Sequence, residues 1–309
     1  MKRIKQAVGD AWAGWSGYWF ESFSSQRWRL FRAVICSIMF FAYLVRHFSL
    51  EDYYSSATGI YIADPSQYVS MAYRWNLFTN LLPSPAAAWA IPALHALYLV
   101  TLIMLIIGFL PRMAAILAFV LHVSFIHANI GAVYGVDLIF TFYLFFMCLA
   151  SDRVKPGDQG PRAWISSMAF RFAQIQLCII YAFSGWEKLK GAAWWNGEAM
   201  WSVIANPQMA RFDFSWLSHV PLVLVFVAYL TLIWEIYFPV LVWLPRWRIP
   251  TLFVGLMFHL SIAGMMKLAF FGFLMISTYV LFLTDGEVRA VWGALKRMPM
   301  MRRLVPKFL

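Results

Sequence analysis

Charge is scarce in this chain. Only 13% of its 309 residues are Asp, Glu, Lys or Arg, about half the share of a soluble domain, which excludes a fold whose whole surface meets water. Acidic residues are scarcer still, 14 against 25 Lys and Arg, for a net charge of +11. Cysteine is nearly absent. Cys36, Cys148 and Cys178 stand singly in apolar runs without a CxxC, which argues against a disulfide framework or a thiolate metal site and for small apolar fillers. No Gly-rich phosphate loop or nucleophile elbow occurs, which disfavours nucleotide-driven chemistry. The six His make no HxxxH or HxxE within one apolar run, so no metal site is assigned. No internal repeat suggests a transporter with duplicated halves.

What is present is hydrophobic length. Hydrophobic residues make up 62% of the chain and mean hydropathy is +0.67, which predicts an all-α, polytopic integral membrane bundle. Eight stretches reach or approach the length that spans a bilayer: 28–47, 88–110, 113–129, 134–150, 164–186, 219–244, 250–267 and 268–284. The third, fourth, seventh and eighth are short. With the N-terminus placed inside, eighteen Lys and Arg fall on the cytoplasmic side and six on the outer side, with Arg171 left inside the fifth stretch. That asymmetry predicts both termini in the cytoplasm and an even number of spans. The expected divisions are a cytoplasmic interfacial segment at 1–27, a transmembrane domain at 28–284 and a basic cytoplasmic tail at 285–309, in a bacterial cytoplasmic (inner) membrane.

The positive charge then reads as topology and lipid contact. The tail VRAVWGALKRMPMMRRLVPKFL mixes basic with apolar residues, as a helix lying on anionic lipid does, whereas a nucleic-acid-binding arm is basic without the Trp, Met and Val. DAWAGWSGYWFESF near the N-terminus has the same interfacial character. The first apolar run, from Trp28, is long enough to stay in the membrane rather than serve as a cleaved signal.

Polar side chains inside such stretches are site candidates, because hydrocarbon cannot satisfy them. Residues turn by about 100° along a helix, which places Arg171, Gln174, Cys178, Tyr181, Ser184 and Lys188 in one sector of the fifth stretch and Gln176 opposite. Counting depth from the cytoplasmic ends puts Gln174, Glu235 and His259 roughly 14 to 15 Å deep, with Arg171 slightly shallower. Two readings follow: an Arg171–Glu235 ion pair lined by Gln174 and His259, or a proton path in which His259 titrates beside a carboxylate. A second group gathers near the outer face: Arg46, His47, His127, Asn129, Asp137 and Lys188, with His95 slightly deeper. Each alone fits an ordinary helix end; their shared level suggests a pocket. A Lys at the edge of an apolar pocket deprotonates more easily than one in water and suits the role of base toward a weakly acidic, lipid-soluble molecule such as a hydroquinone.

Arg171, Gln174, Gln176, Tyr181, Ser184, Gly185, Lys188, Leu189, Trp195 and Gly197, followed by Glu235, Pro239, Arg246 and the Phe258–His259 pair, resemble the pattern of the horizontally transferred transmembrane domain family, related to the membrane portion of vitamin K-dependent gamma-carboxylase. The resemblance covers roughly 28–284. It implies a helical membrane fold and, at Lys188, the base that deprotonates a reduced quinone; in the carboxylase, oxygen then turns the quinol into a strong base that prepares a Glu side chain for carbon dioxide. The 309 residues give no counterpart of the carboxylase's large extramembrane domain. HANIGAVYGVD, 127–137, resembles the bacterial form of its loop, so no catalytic His is carried over. Bacterial relatives are associated with maturation of secreted peptide toxins, and some neighbour thiol-disulfide oxidoreductases.

Three functions compete. The first is a quinone-linked enzyme or maturation factor, a carboxylase-like lyase or an oxidoreductase, acting at the outer face on a lipid-soluble or secreted partner or a redox partner protein. The second is a non-catalytic protein that binds or escorts a secreted peptide through the loop 49–82 and the Trp-rich segment 186–216. The third is a small-solute or proton transporter built on Arg171, Gln174, Glu235 and His259.

Overall fold

In the computed structural model the described residues are 2–21, 25–54, 77, 87–155 and 157–297; among them there is no strand, only an isolated bridge between Ala210 and Met266. The helices are α1 (Lys2–Phe20), α2 (Ser25–His47), α3 (Leu50–Tyr54), α4 (Ala87–Ile107), α5 (Pro111–Ala128), α6 (Gly135–Leu149), α7 (Pro161–Lys190), α8 (Ala192–Trp195), α9 (Ala199–Ile204), α10 (Pro221–Leu241), α11 (Pro245–Met265), α12 (Ala269–Thr278) and α13 (Asp285–Arg297). All eight expected stretches are helical. Six helices, α2, α4, α5, α7, α10 and α11, are long and apolar enough to cross a membrane. The third and seventh stretches, expected to be short, form helices of 18 and 21 residues. The fourth and eighth are short: α6 has 15 residues, and α12 has 10 before it tightens into a 3₁₀ turn at Tyr279–Phe282. The fifth is longer than expected, α7 running for 30 residues.

Local chemistry sets the ends. Pro111, Pro221 and Pro245 each open a helix where no backbone donor is needed. At the end of α4, Gly108 takes φ 76°, its N–H bonds Leu105 O and the Phe109 N–H bonds Met104 O, the paired closure that a left-handed residue allows. The Arg32 guanidinium stands 3.0 Å from where a Cβ on Gly108 would lie, so a side chain is unwelcome there twice over.

The described residues divide into two compact units, 1–172 and 173–308, the border falling within α7. In the first, α2 buries Trp28, Phe31, Ile35, Met39 and Tyr43, a helical stripe spaced three to four residues apart. Phe31 meets Tyr143 of α6 edge-on at 5.2 Å. Arg32, buried at the same level, is held by Asp152 at 2.7 Å. In the second unit α11 packs between α10 and α12. Here glycines set the spacing: a Cβ on Gly272 of α12 would lie 2.5 Å from His259 O of α11, so only a bare backbone allows that approach. The Trp-rich segment folds as α8, α9 and a 3₁₀ turn at Ser215–His219, with Ile204, Leu217 and Leu224 as a small core.

Large apolar side chains cover the outside: Phe142, Ile179, Phe183, Phe226, Ile233 and Phe253 are all exposed. In water this would be an aggregation surface; in hydrocarbon it is the surface that the solvent prefers. The chain is an all-helical, multi-pass membrane protein.

At the C-terminal end, Thr284 and Glu287 form a reciprocal cap on α13. The Thr284 N–H donates to Glu287 Oε2 at 2.6 Å and the Glu287 N–H to Thr284 Oγ1 at 3.2 Å, while Arg248 Nη2 donates to Glu287 Oε1 at 2.7 Å. Partial burial alone would raise the Glu287 carboxyl; the Thr284 and Arg248 bonds outweigh it and hold the group below its ordinary value. A carboxylate depressed in the folded state stabilises it above the unfolded pKa, and that contribution is lost as pH falls through the folded one. Protection of the α13 amides against hydrogen exchange, corrected for intrinsic rate, is therefore expected to fall below about pH 4. Glu287→Gln should remove the pH dependence, with a change under about 1 kcal/mol for a pair only partly withdrawn from solvent.

The loop proposed as a peptide contact surface, 49–82, lies outside the described residues except for 49–54 and Leu77, as does the tail beyond Arg297.

Candidate functional site

Of the polar residues expected near the outer face, Arg46 alone is bonded to Asp137 among the described residues of the first unit. Its carboxylate is fully buried at the start of α6 and receives Arg46 Nη1 at 3.1 Å and Nη2 at 2.9 Å, Tyr43 Oη at 2.8 Å and the Tyr134 N–H at 3.1 Å. The guanidinium also lies over the rings of Tyr43 at 4.7 Å and Tyr134 at 5.5 Å. Charge, hydrogen bonds and aromatic faces are thus all satisfied, the condition under which a buried ion pair is tolerated. Asn129 donates to Tyr53 O and accepts from the Ala132 N–H, tying α3 to the turn after α5. His127 is half-buried at the end of α5.

His47 and His95 face one another, Nδ1 to Nδ1, at 3.1 Å. Their ring centres are 5.2 Å apart and tilted by only 27°, close to the nitrogen separation plus the two ring radii, so the rings meet nearly head-on. That suits one shared N–H. A metal on the same line would need nitrogens roughly 4 Å apart. Among the described residues no three His, Cys, Asp or Glu gather to hold a metal ion. Sequence reasoning missed His122, which bridges Tyr98 Oη at 2.9 Å and Asp137 O at 3.0 Å. The spacing of His95 and Tyr98, one helical turn apart in α4, was the available signal.

Arg171 and Glu235, expected as an ion pair, are each engaged within their own unit. Arg171 belongs to the first unit, where its Nε donates to Tyr18 O at 2.9 Å and its guanidinium covers the Tyr18 ring at 4.7 Å. The expected midplane cluster is instead distributed. Gln174 donates to Leu281 O at 2.8 Å, satisfying the end of the 3₁₀ turn. Among the described residues His259 pairs with no carboxylate: its Nε2 is 2.7 Å from Tyr181 Oη, which is 2.7 Å from Tyr279 Oη. His259 Nδ1 is buried without a hydrogen-bond partner. An unmet lone pair costs less than an unmet N–H, which favours the proton on Nε2, donated to Tyr181.

Glu235 instead takes Lys188. Side chains on a helix point toward its N-terminus, so Lys188 reaches back along α7, donates to Ser184 Oγ one turn earlier and brings Nζ within 2.7 Å of Glu235 Oε2 on α10. That approach lies off the axis a hydrogen bond prefers, leaving Oε2 without a formal donor. A depth count by Cα position leaves out the reach of a long side chain, so it does not bring Lys188 and Glu235 together. Gly185 makes the contact possible: a Cβ there would lie 3.2 Å from Ile236 N and 3.4 Å from Glu235 Cβ. The pair is asymmetric, the Lys188 side chain 21% exposed and that of Glu235 5%. The exposed edge opens on a surface groove of about 560 Å³ lined by Ile180, Phe183, Ser184, Glu187, Lys188 and Trp194, and Nζ stands 5.3 Å from the centre of the Trp194 ring.

The fold and this site define a class, a multi-pass helical membrane protein with a partly buried Lys–carboxylate pair beside an apolar groove. No family model, curated protein or solved structure matches the chain.

Proposed function

We propose that the groove beside Lys188 binds a weakly acidic, lipid-soluble molecule of the hydroquinone class and that Lys188 is the base that takes its hydroxyl proton. The observation that carries this reading is the exposed edge of an otherwise buried ion pair, set among Ile180, Phe183 and Trp194. An apolar ring finds matching surface there, and its hydroxyl finds Lys188 Nζ at the groove wall. A bound quinol would supply reducing electrons and that ionisable hydroxyl; the chain's own part is to hold the ring and receive the proton.

The resemblance to the transmembrane domain of the vitamin K-dependent carboxylase supports the same role for Lys188 and extends the proposal to modification or maturation of a secreted or lipid-soluble partner. In this reading eight segments cross a bacterial inner membrane, α6 and α12 included, both termini are cytoplasmic and the groove lies toward the outer face. The test is to purify the protein in lipid nanodiscs and extract bound quinone for mass spectrometry. Wild type should retain quinone or bind it when added reduced, and Lys188→Ala should retain less than about a tenth as much. Equal retention by the variant, or none by wild type, would sink the proposal.

A second reading, a binding surface for a secreted peptide, has its own support. Trp186 near the end of α7 and Trp195, Phe212 and Trp216 after it are each exposed, large aromatics of the kind that anchor interfaces.

A further inference from the structure

Resting on the reading above, we infer that Glu235 is the proton store of the site: it accepts the proton that Lys188 Nζ must give up, so that the pair takes in a neutral acid without exchanging protons with water. A Lys188 fixed as ammonium beside a fixed carboxylate is no base. The Nζ to Oε2 separation of 2.7 Å lets one proton pass to either atom once an N–H of Lys188 turns onto that line. When it lies on Oε2, Nζ is an amine that keeps an N–H bond to Ser184 Oγ, and rotation about its Cε–Nζ bond turns the lone pair from the acid toward the groove. An incoming hydroxyl then breaks its O–H bond, its proton forms a new N–H bond on Nζ, and the electron pair stays on the substrate oxygen. The products are an ammonium, a neutral Glu235 acid and an anion. No proton has left the site and no oxidant or reductant is needed.

The alternative leaves Glu235 ionised throughout. One ammonium would then face two anions, its own carboxylate and the substrate's, in a poorly screened place, and the proton would have to escape to water. Burial argues against that arrangement, because Glu235 is the less accessible partner. Other ionisable groups near the pair are few among the described residues. Glu187 on α7 is engaged by Lys190 at 2.6 Å. Tyr279, after α12, is close enough to feel the Glu235 charge, and its hydroxyl is engaged by Tyr181. Neither offers Lys188 a second acceptor.

Proton linkage separates the two cases. The probe is a 4-nitrophenol bearing a short alkyl chain, whose anion absorbs visible light, titrated into protein in nanodiscs and corrected with protein-free discs. Between about pH 5 and pH 7 the free probe is mostly neutral. If Glu235 keeps the proton, wild type binds the probe as its anion with an affinity that is flat across this range. In Glu235→Gln the amide cannot hold the proton, so binding must release it, and affinity should rise roughly tenfold per pH unit. A tenfold slope in wild type as well would overturn the inference, and so would a flat profile in Glu235→Gln. Lys188→Ala should lose the anion band. A variant that still ionises the probe, or a wild type that binds none, would count against the Lys188 site itself, a failure distinct from a wrong slope. The wild-type slope is read from unaltered protein, so a poorly folding variant does not block the test.

Discussion

Asp137→Ala is expected to destabilise the protein by about 3 to 5 kcal/mol, the cost of leaving one member of a buried ion pair alone. The carboxylate collects both ends of the Arg46 fork, the Tyr43 hydroxyl and a backbone N–H, and among the described residues no other acid lies against that guanidinium. Arg46 keeps a little access to the surface, 13% of its side chain, which places the effect toward the lower end of the range. Asp137→Asn should recover the Tyr43 bond without the charge and fall between wild type and Ala. Replacing both partners, Arg46→Met with Asp137→Leu, should cost less than Asp137→Ala, because no buried charge is left over. Unfolding midpoints in one lipid composition measure all four proteins. A loss below about 1 kcal/mol in Asp137→Ala would mean that Arg46 reaches water when its partner is gone.

Gly255→Ala is expected to be strongly destabilising. A Cβ on Gly255 would overlap the Tyr279 hydroxyl and stand 2.5 Å from Trp234 Cζ2. Tyr279 is held through Tyr181 to His259, and the Trp234 Nε1–H is committed to Thr251 O, so neither neighbour yields freely. Overpacking plus a strained hydrogen-bond chain should cost about 3 kcal/mol or more. Gly264 supplies the control within the same helix: nothing lies within 4 Å of the place its methyl would take, so Gly264→Ala should be neutral or stabilise by up to about 1 kcal/mol through helix propensity. The thermal midpoint of Gly255→Ala should fall while that of Gly264→Ala holds or rises, and matching midpoints would mean that α11 relaxes around the new methyl.

How far the sequence carried the fold depends on which physical signal was being read. Apolar length located every helix that forms the body of the protein, because hydrocarbon leaves the backbone few alternatives. The polar sector of α7 was equally legible from its 100° step: Gln174, Cys178 and Tyr181 are all buried. Partners were not legible. Arg171 finds its acceptor on Tyr18, 153 positions earlier, and no periodicity within α7 points there. Lys188 finds Glu235 because its side chain turns back toward the N-terminus and Gly185 lets α10 come close, a matter of direction and contact rather than composition. The Thr284–Glu287 cap was present as a spacing, Thr followed three positions later by Glu; in a basic tail the charges drew attention instead. Among the outer residues, Arg46, His47, Asn129 and Asp137 each find a partner within the first unit, while Tyr43, Tyr98 and His122 passed as core because an aromatic ring in an apolar run looks like packing until its hydroxyl or nitrogen is followed.

The groove beside Lys188 lies along the flank of α7, with the exposed Phe183 on its wall. A ligand that arrives there from hydrocarbon is governed by surface density, not by aqueous concentration. Its occupancy follows the number of ligand molecules per lipid, so adding empty bilayer at fixed total ligand should drain the site as surely as diluting a solution does. Two preparations with the same nominal ligand concentration and different lipid content would therefore report different affinities, and only mole fraction in the membrane would bring them onto one curve.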